Sequence, residues 1–146
     1  MILKTLLLKG PLPRINRKYV PSYNRRARKS YMRLSQEWEE KFGCILLQMQ
    51  GQKNGFYTED KIDLFITQSI HPRTDSDAIL KGLFDSLEKS GVIKNDNQIK
   101  NYCVVRGPWS GEDEVIIQII SSGELLNCMV SLALEELDEN KKTNIN

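Results

Sequence analysis

The first 33 residues contain no aspartate and no glutamate. Over the same stretch stand ten cations: Lys4, Lys9, Arg14, Arg17, Lys18, Arg25, Arg26, Arg28, Lys29 and Arg33, eight of them between Arg14 and Arg33. A run without acids cannot neutralise itself locally, so its charge is left for a partner, and a polyanion such as nucleic acid suits it best. A solvated basic loop is the plainer reading. Residues 34–146 carry 11 basic and 19 acidic side chains, so the formal net charge of +2 hides two stretches of opposite sign.

Histidine is almost absent, His71 being the only one, and the three cysteines (Cys44, Cys103, Cys128) are far apart with no CxxC pair. This excludes a zinc site of the usual kind and a disulfide frame, and it predicts buried thiols in a reducing compartment. No apolar run approaches the ~18–20 residues that span a bilayer, so no membrane partner is expected. The apolar opening MILKTLLLKGPLP has its basic flank after the apolar part and no small-residue cleavage site, so it reads as a first strand and not as a signal peptide. No glycine-rich phosphate loop occurs, which disfavours nucleotide-handling or kinase-like chemistry. What remains is 146 residues, 40% hydrophobic and 27% charged, a length and composition that fit one globular domain with one core.

Residues 2–9 read as a strand, stopped by Gly10-Pro11 and Pro13. Residues 10–30 read as a basic loop with three prolines, interleaved with Tyr19 and Tyr23 and followed by Tyr31. A helix is predicted over 31–50, with Leu34, Trp38, Phe42, Ile45 and Met49 on one face, and a polar turn follows. Residues 60–70 alternate Ile62, Leu64 and Ile66 with Asp63, Phe65 and Thr67, the pattern of a strand packed on one side. A second helix is predicted over 77–90 from Leu80, Leu83, Phe84 and Leu87, with Gly91 as its stop and Val92 closing a Schellman contact. Strands are predicted at 98–106 and 113–120, joined by a Gly107–Gly111 turn that packs Trp109. A last amphipathic helix covers 124–139, ahead of a frayed polar tail. The order favours an α/β fold: a single domain with a mixed β-sheet packed by helices.

The acids carry the chemistry. Asp75 stands at a strand-to-helix turn and Asp77 at the helix start. Lys81 and Asp85 follow at four-residue steps, so they share the polar face with Asp77. Asp96 lies in the loop KNDN after the helix and joins them only if that loop folds back to the helix start. Carboxylate oxygens are natural Mg²⁺ ligands, and a bound metal activates water and offsets charge on a phosphoryl group. Lys81 would add a positive charge there or hold the water. The alternative is structural: Asp75, Ser76 and Asp77 all suit a helix cap, and Asp77 with Lys81 suits a surface pair. DSDAIL lacks the glycine and later glutamate of an EF-hand.

Two stretches taken together resemble the RusA-type Holliday-junction resolvases, small phage- and prophage-associated endonucleases. The first is Pro11-Leu12-Pro13-Arg14-Ile15-Asn16-Arg17-Lys18-Tyr19. The second is Arg73-Thr74-Asp75-Ser76-Asp77-Ala78-Ile79-Leu80-Lys81, continued by Asp85, Leu87, Gly91 and Asn95-Asp96-Asn97-Gln98. The likeness covers residues 1–120 and leaves 121–146 as an extra C-terminal helical extension without a counterpart, for which packing on the core is the plain expectation. It implies a Mg²⁺-dependent crossover junction endodeoxyribonuclease, with Mn²⁺ as a substitute. Such an enzyme acts as a homodimer and nicks opposite arms of a four-way DNA junction in recombination and repair. It would be cytoplasmic and nucleoid-associated. By position, Asp75, Asp77 and Asp96 are implied as metal ligands, Lys81 as the catalytic lysine and Asp85 as a supporting acid. Implied contacts to DNA are Arg14, Asn16, Arg17, Lys18, Tyr19, Arg25, Arg26, Arg28, Lys29 and Arg73, with Tyr19, Tyr23 or Tyr31 at the branch point. The departures are Ala78 for an Asn, Asn95 for the first acid of an Asp-Asp pair, and Arg14 where a Ser is common. Ala78 and Asn95 motivate one alternative, a non-catalytic or weakly active DNA-binding recombination accessory protein; a flap or fork nuclease of the same fold is a second enzyme reading.

Overall fold

The computed structural model describes residues 1–143. Its elements are β1 (Ile2–Lys9), β2 (Tyr19–Asn24), β3 (Lys29–Leu34), α1 (Gln36–Gln52), β4 (Ile62–Ser69), α2 (Ser76–Lys89), β5 (Ile99–Arg106), β6 (Glu114–Ser121) and α3 (Glu124–Thr143). Strands β1, β6, β4 and β5 form one sheet in that order. The β4–β5 pair is parallel and is connected through α2, while β1–β6 and β4–β6 are antiparallel. The expected mixed α/β domain is therefore observed.

Alternation builds the sheet's inner face. Leu6 and Leu8 of β1, Ile62, Leu64 and Ile66 of β4, and Val115, Ile117 and Ile119 of β6 are all buried. They form one core with Ile45 and Met49 of α1 and Ile79, Leu83 and Leu87 of α2. Helix α2 ends as its sequence predicts. Gly91 adopts φ 74°, its N–H donates to Glu88 O at 3.0 Å, and Val92 N–H donates to Leu87 O at 3.1 Å. That is the Schellman pattern, with Val92 fully buried. The edge of β1 is covered by glutamines one turn apart on α1. Gln52 both accepts from Leu7 N–H and donates to Leu7 O, and Gln48 does the same for Lys9.

Three expectations are corrected. Residues 19–34 are not a loop running into a helix but a β2–β3 hairpin forming its own two-stranded sheet. Asn24 Oδ1 accepts from the N–H groups of Arg26 and Ala27, and Arg28 takes φ 50°, so the turn closes locally. Pro21 is tolerated because a two-stranded ribbon has open edges. Helix α1 consequently starts at Gln36, where Ser35 Oγ accepts from Trp38 N–H at 3.0 Å, and Leu34 belongs to β3. The thiols are not buried: Cys44 and Cys128 are exposed and Cys103 is half-buried, because each lies off the apolar stripes that face the core.

Asp63 was expected to face away from the packed side, yet it is completely buried. Its carboxylate accepts from Asn101 Nδ2 at 3.0 Å and from Gly123 N–H at 2.9 Å, which anchors the start of α3. Asn101→Leu is expected to lower the unfolding free energy by about 1–3 kcal/mol, because it leaves a buried carboxylate short of one donor. Urea denaturation measures this, and an unchanged midpoint would remove the anchoring role. Beyond that anchor α3 packs little. It reaches β4, β5 and β6 through its first turns, with Leu125 its one buried residue, so packing on the core describes only its beginning. The helix continues to Thr143 instead of stopping at 139, and the end of the tail expected to fray, residues 144–146, lies outside the described residues.

Candidate active site and nucleic-acid interface

Helix α2 starts at the carboxyl end of β4, next to the carboxyl end of parallel β5, where α/β sheets place their sites. Asp75 is the residue before the helix. Its backbone is extended (φ −69°, ψ 136°) and its side chain makes no cap hydrogen bond, so the carboxylate is not consumed in capping. Asp77 lies exposed in the first turn, where the helix dipole favours negative charge. One turn on, Lys81 Nζ meets Asp85 Oδ1 at 2.9 Å and Asp96 Oδ2 at 3.9 Å. The loop after α2 brings Asp96 to Lys81 and Glu88, further along the helix, and not to the helix start where Asp75 and Asp77 stand. The Asp85 hydrogen bond and charge, with Asp96 and Glu88 adding to them, raise the Lys81 pKa above its ordinary value. Lys81 therefore remains an ammonium at neutral pH.

The loop that carries Asp96 is held by Gln98, whose four hydrogen bonds are all made. Its Oε1 accepts from Lys94 and Asn95 N–H at 2.8 Å each, and its Nε2 donates to Thr58 O and Asp60 O at 2.9 Å each. Asn95, in the place of an acid, accepts from Asn97 N–H at 2.8 Å and caps the short 3₁₀ turn Asp96–Gln98. Asp96 N–H in turn donates to Glu88 Oε2 at 3.3 Å.

Several positioning residues escaped the sequence reading. Arg106, the last residue of β5, donates to Thr74 O at 2.7 Å, Ser76 Oγ at 3.1 Å and His71 O at 3.3 Å, clamping the turn before α2. Its place at the end of a predicted strand was the available signal. Gln68 is wholly buried beneath that turn; its Nε2 donates to Ser76 O at 3.2 Å while its Oε1 has no partner. His71 Nδ1 accepts from Arg73 N–H at 3.1 Å, and its ring meets Trp109 edge-on at 4.8 Å. Trp109 donates to Asp113 Oδ1 at 3.1 Å but is 40% exposed, so it is tied into the turn and not packed as expected.

The basic residues divide into two groups. Arg14 Nη2 donates to Thr74 Oγ1 at 2.8 Å, which ties the Pro-rich loop to the turn carrying Asp75, and Arg73 stands exposed in that turn. Pro13 packs against Gly82, where a Cβ would come within 3.0 Å of it, so this loop lies directly on α2. Asn16 and Arg17 are exposed in the 3₁₀ turn Ile15–Arg17, with Arg17 3.6 Å from Glu37. Arg25, Arg26, Arg28 and Lys29 form the tip of the exposed hairpin. Tyr19, Tyr23 and Tyr31 are about half-exposed, so none of them belongs to the core.

Among the described residues, no three Asp, Glu, His or Cys side chains gather into a group able to hold a metal ion. The donor chemistry nevertheless suits Mg²⁺, which takes carboxylate oxygens, commonly only one or two from the protein, and keeps waters.

These features define a class: a small α/β domain that sets an acidic helix face beside an acid-free basic ribbon. The Endodeoxyribonuclease RusA family model matches residues 15–120, and the chain belongs to that family. A crossover junction endodeoxyribonuclease RusA of Aquifex aeolicus (strain VF5) is 39% identical over 61 residues, which cover 42% of this chain and 48% of that protein. The chain thus spans about half the length of the curated relative it matches.

Proposed function

We propose that this protein is a Mg²⁺-dependent endonuclease that resolves four-way DNA junctions by paired symmetric nicks. The observation that carries the reading is Lys81, bonded to Asp85 and close to Asp96, on a helix packed against the root of the basic ribbon. Arg14, Arg73 and the hairpin cations hold phosphates, and the exposed tyrosines lie against bases at the branch. Asp75, Asp77 and Asp96 are the candidate ligands, of which one or two would hold the metal with its waters; when bound it supplies an activated water and offsets phosphoryl charge. Lys81 places a fixed ammonium beside the phosphate that is cut, so developing negative charge meets a positive group already in position. Hydrolysis joins the water oxygen to phosphorus and releases one ester oxygen as an alcohol.

Paired nicks need two sites, which a homodimer supplies. The apolar residues exposed along α3 (Leu126, Met129, Val130, Leu132, Leu134 and Leu137) favour self-association, with residues 121–146 as an appended element. Among the described residues no helix is long and apolar enough to cross a membrane, and a DNA substrate favours the cytoplasm.

A labelled synthetic four-way junction in Mg²⁺, beside linear duplex and a flap, tests the reading. Symmetric nicks confined to the junction support it; flap cleavage instead would make the protein a flap nuclease. Tight binding with no cleavage in Mg²⁺ or Mn²⁺ would leave an accessory binding protein. The ungathered carboxylates favour that second reading.

A further inference from the structure

A groove of about 630 Å³ runs between the β2–β3 hairpin, α1 and α2, within the size range of small-molecule sites. One wall is aromatic. Trp38 and Phe42, four residues apart on α1, stack at 5.9 Å with planes 11° apart; Trp38 is 5% exposed and backs Phe42, so the rings open to the groove are those of Phe42 and Tyr19. Tyr19 and its cross-strand neighbour Leu34 face them from the hairpin, beside Met32. Two cations, Lys18 and Lys89, and two acids, Glu39 and Asp85, border the space. Lys18 Nζ stands 5.4 Å from the Tyr19 ring and 5.1 Å from the Trp38 ring, so it sits between the two walls. Lys89 Nζ lies 5.3 Å from the Phe42 ring. Asp85, the partner of Lys81, also lines the groove, which therefore opens onto the acidic cluster.

We propose that this groove receives one unstacked base of the branched DNA, its ring against the aromatic wall and its flanking phosphates beside Lys18 and Lys89. The inference rests on the reading that the chain binds branched DNA. Flat π-faces with neighbouring cations match the chemistry of a nucleotide taken out of its stack, and such stacking tolerates any base. A branch point is where unstacking is least costly, because bases there have already lost a neighbour. The groove would hold the strand in register with the acids, since Asp85 belongs to both.

Gly43 offers a clean test. It lines the groove, it lies in mid-helix, and a Cβ there meets nothing within 4 Å. Gly43→Leu fills the groove while adding helix propensity. Gly51→Leu, in the same helix, equally open and outside the groove, is the control. Junctions with single abasic positions around the branch are titrated by fluorescence anisotropy. For the natural protein and Gly51→Leu, removing one particular base is expected to weaken binding about 5- to 150-fold, the worth of one stacked base. For Gly43→Leu that dependence disappears while binding to the intact junction persists. Met32→Ala, at a residue 61% exposed, trims the opposite wall without opening the core and is expected to weaken the same dependence. Equal dependence in all four proteins, or none in the natural one, overturns the groove proposal alone. Failure of the natural protein to bind any junction overturns the DNA reading and the proposal with it.

Discussion

Asp77→Asn is expected to lower junction cleavage by at least about 10²- to 10³-fold while leaving junction affinity within a few-fold of the natural protein. The asparagine keeps the shape and removes the charge. Asp77 is exposed in the first turn of α2, so the fold loses no core contact, and α2 keeps its N-terminus. Measured without divalent metal, removing a carboxylate beside incoming phosphates takes away a repulsion, so binding holds or tightens. Single-turnover cleavage and anisotropy on the same labelled junction read both quantities. Cleavage at the natural rate would exclude Asp77 from the site. Equal loss of cleavage and binding would make it a DNA contact instead of a catalytic group.

The second large effect is in salt. Eight cations lie between Arg14 and Arg33 without one acid among them, and most of them stand on an exposed ribbon. If six or more of them meet phosphates, affinity should fall about 10³-fold or more between 50 and 200 mM salt through release of counterions. A two-stranded ribbon fits a DNA groove, and under this reading its exposed tip cations Arg25, Arg26, Arg28 and Lys29 would contact phosphates on both sides. Arg26→Ala should reduce the steepness of the logarithmic salt plot by about one unit without changing junction selectivity. Affinity that is flat across this range would sink the role assigned to the ribbon.

The two effects separate the halves of the molecule. The hairpin concentrates cations that pair with no acid among the described residues. Helix α2 concentrates acids where one lysine holds two of them. Pro13 on Gly82 and Arg14 on Thr74 join the halves. Damage at this seam is therefore expected to uncouple binding from cleavage more than to abolish either.

What the sequence by itself determined is whatever depends on near neighbours. The alternation in β4 and β6, the stripe and glycine stop of α2, the charge asymmetry and the Asp77–Lys81–Asp85 face all follow from periodicity, because residues two to four apart share a face whatever the rest of the chain does. The family motif was legible for the same reason, since it is a spacing. Tertiary structure decided the rest. The hairpin hid behind Pro21 and its charges, because its two strands pair only with each other and bury little. Asp63 sits on the polar side of an alternating strand, and only the arrival of Asn101 and Gly123 buries it. Arg106 reaches the turn before α2 because parallel pairing sets it beside Gln68. Asp96 comes to Lys81 because Gln98 ties its loop to residues 58 and 60, nearly 40 positions earlier in the chain. Such contacts depend on which distant segments the closed sheet and its helices place side by side, and a local pattern carries no record of that.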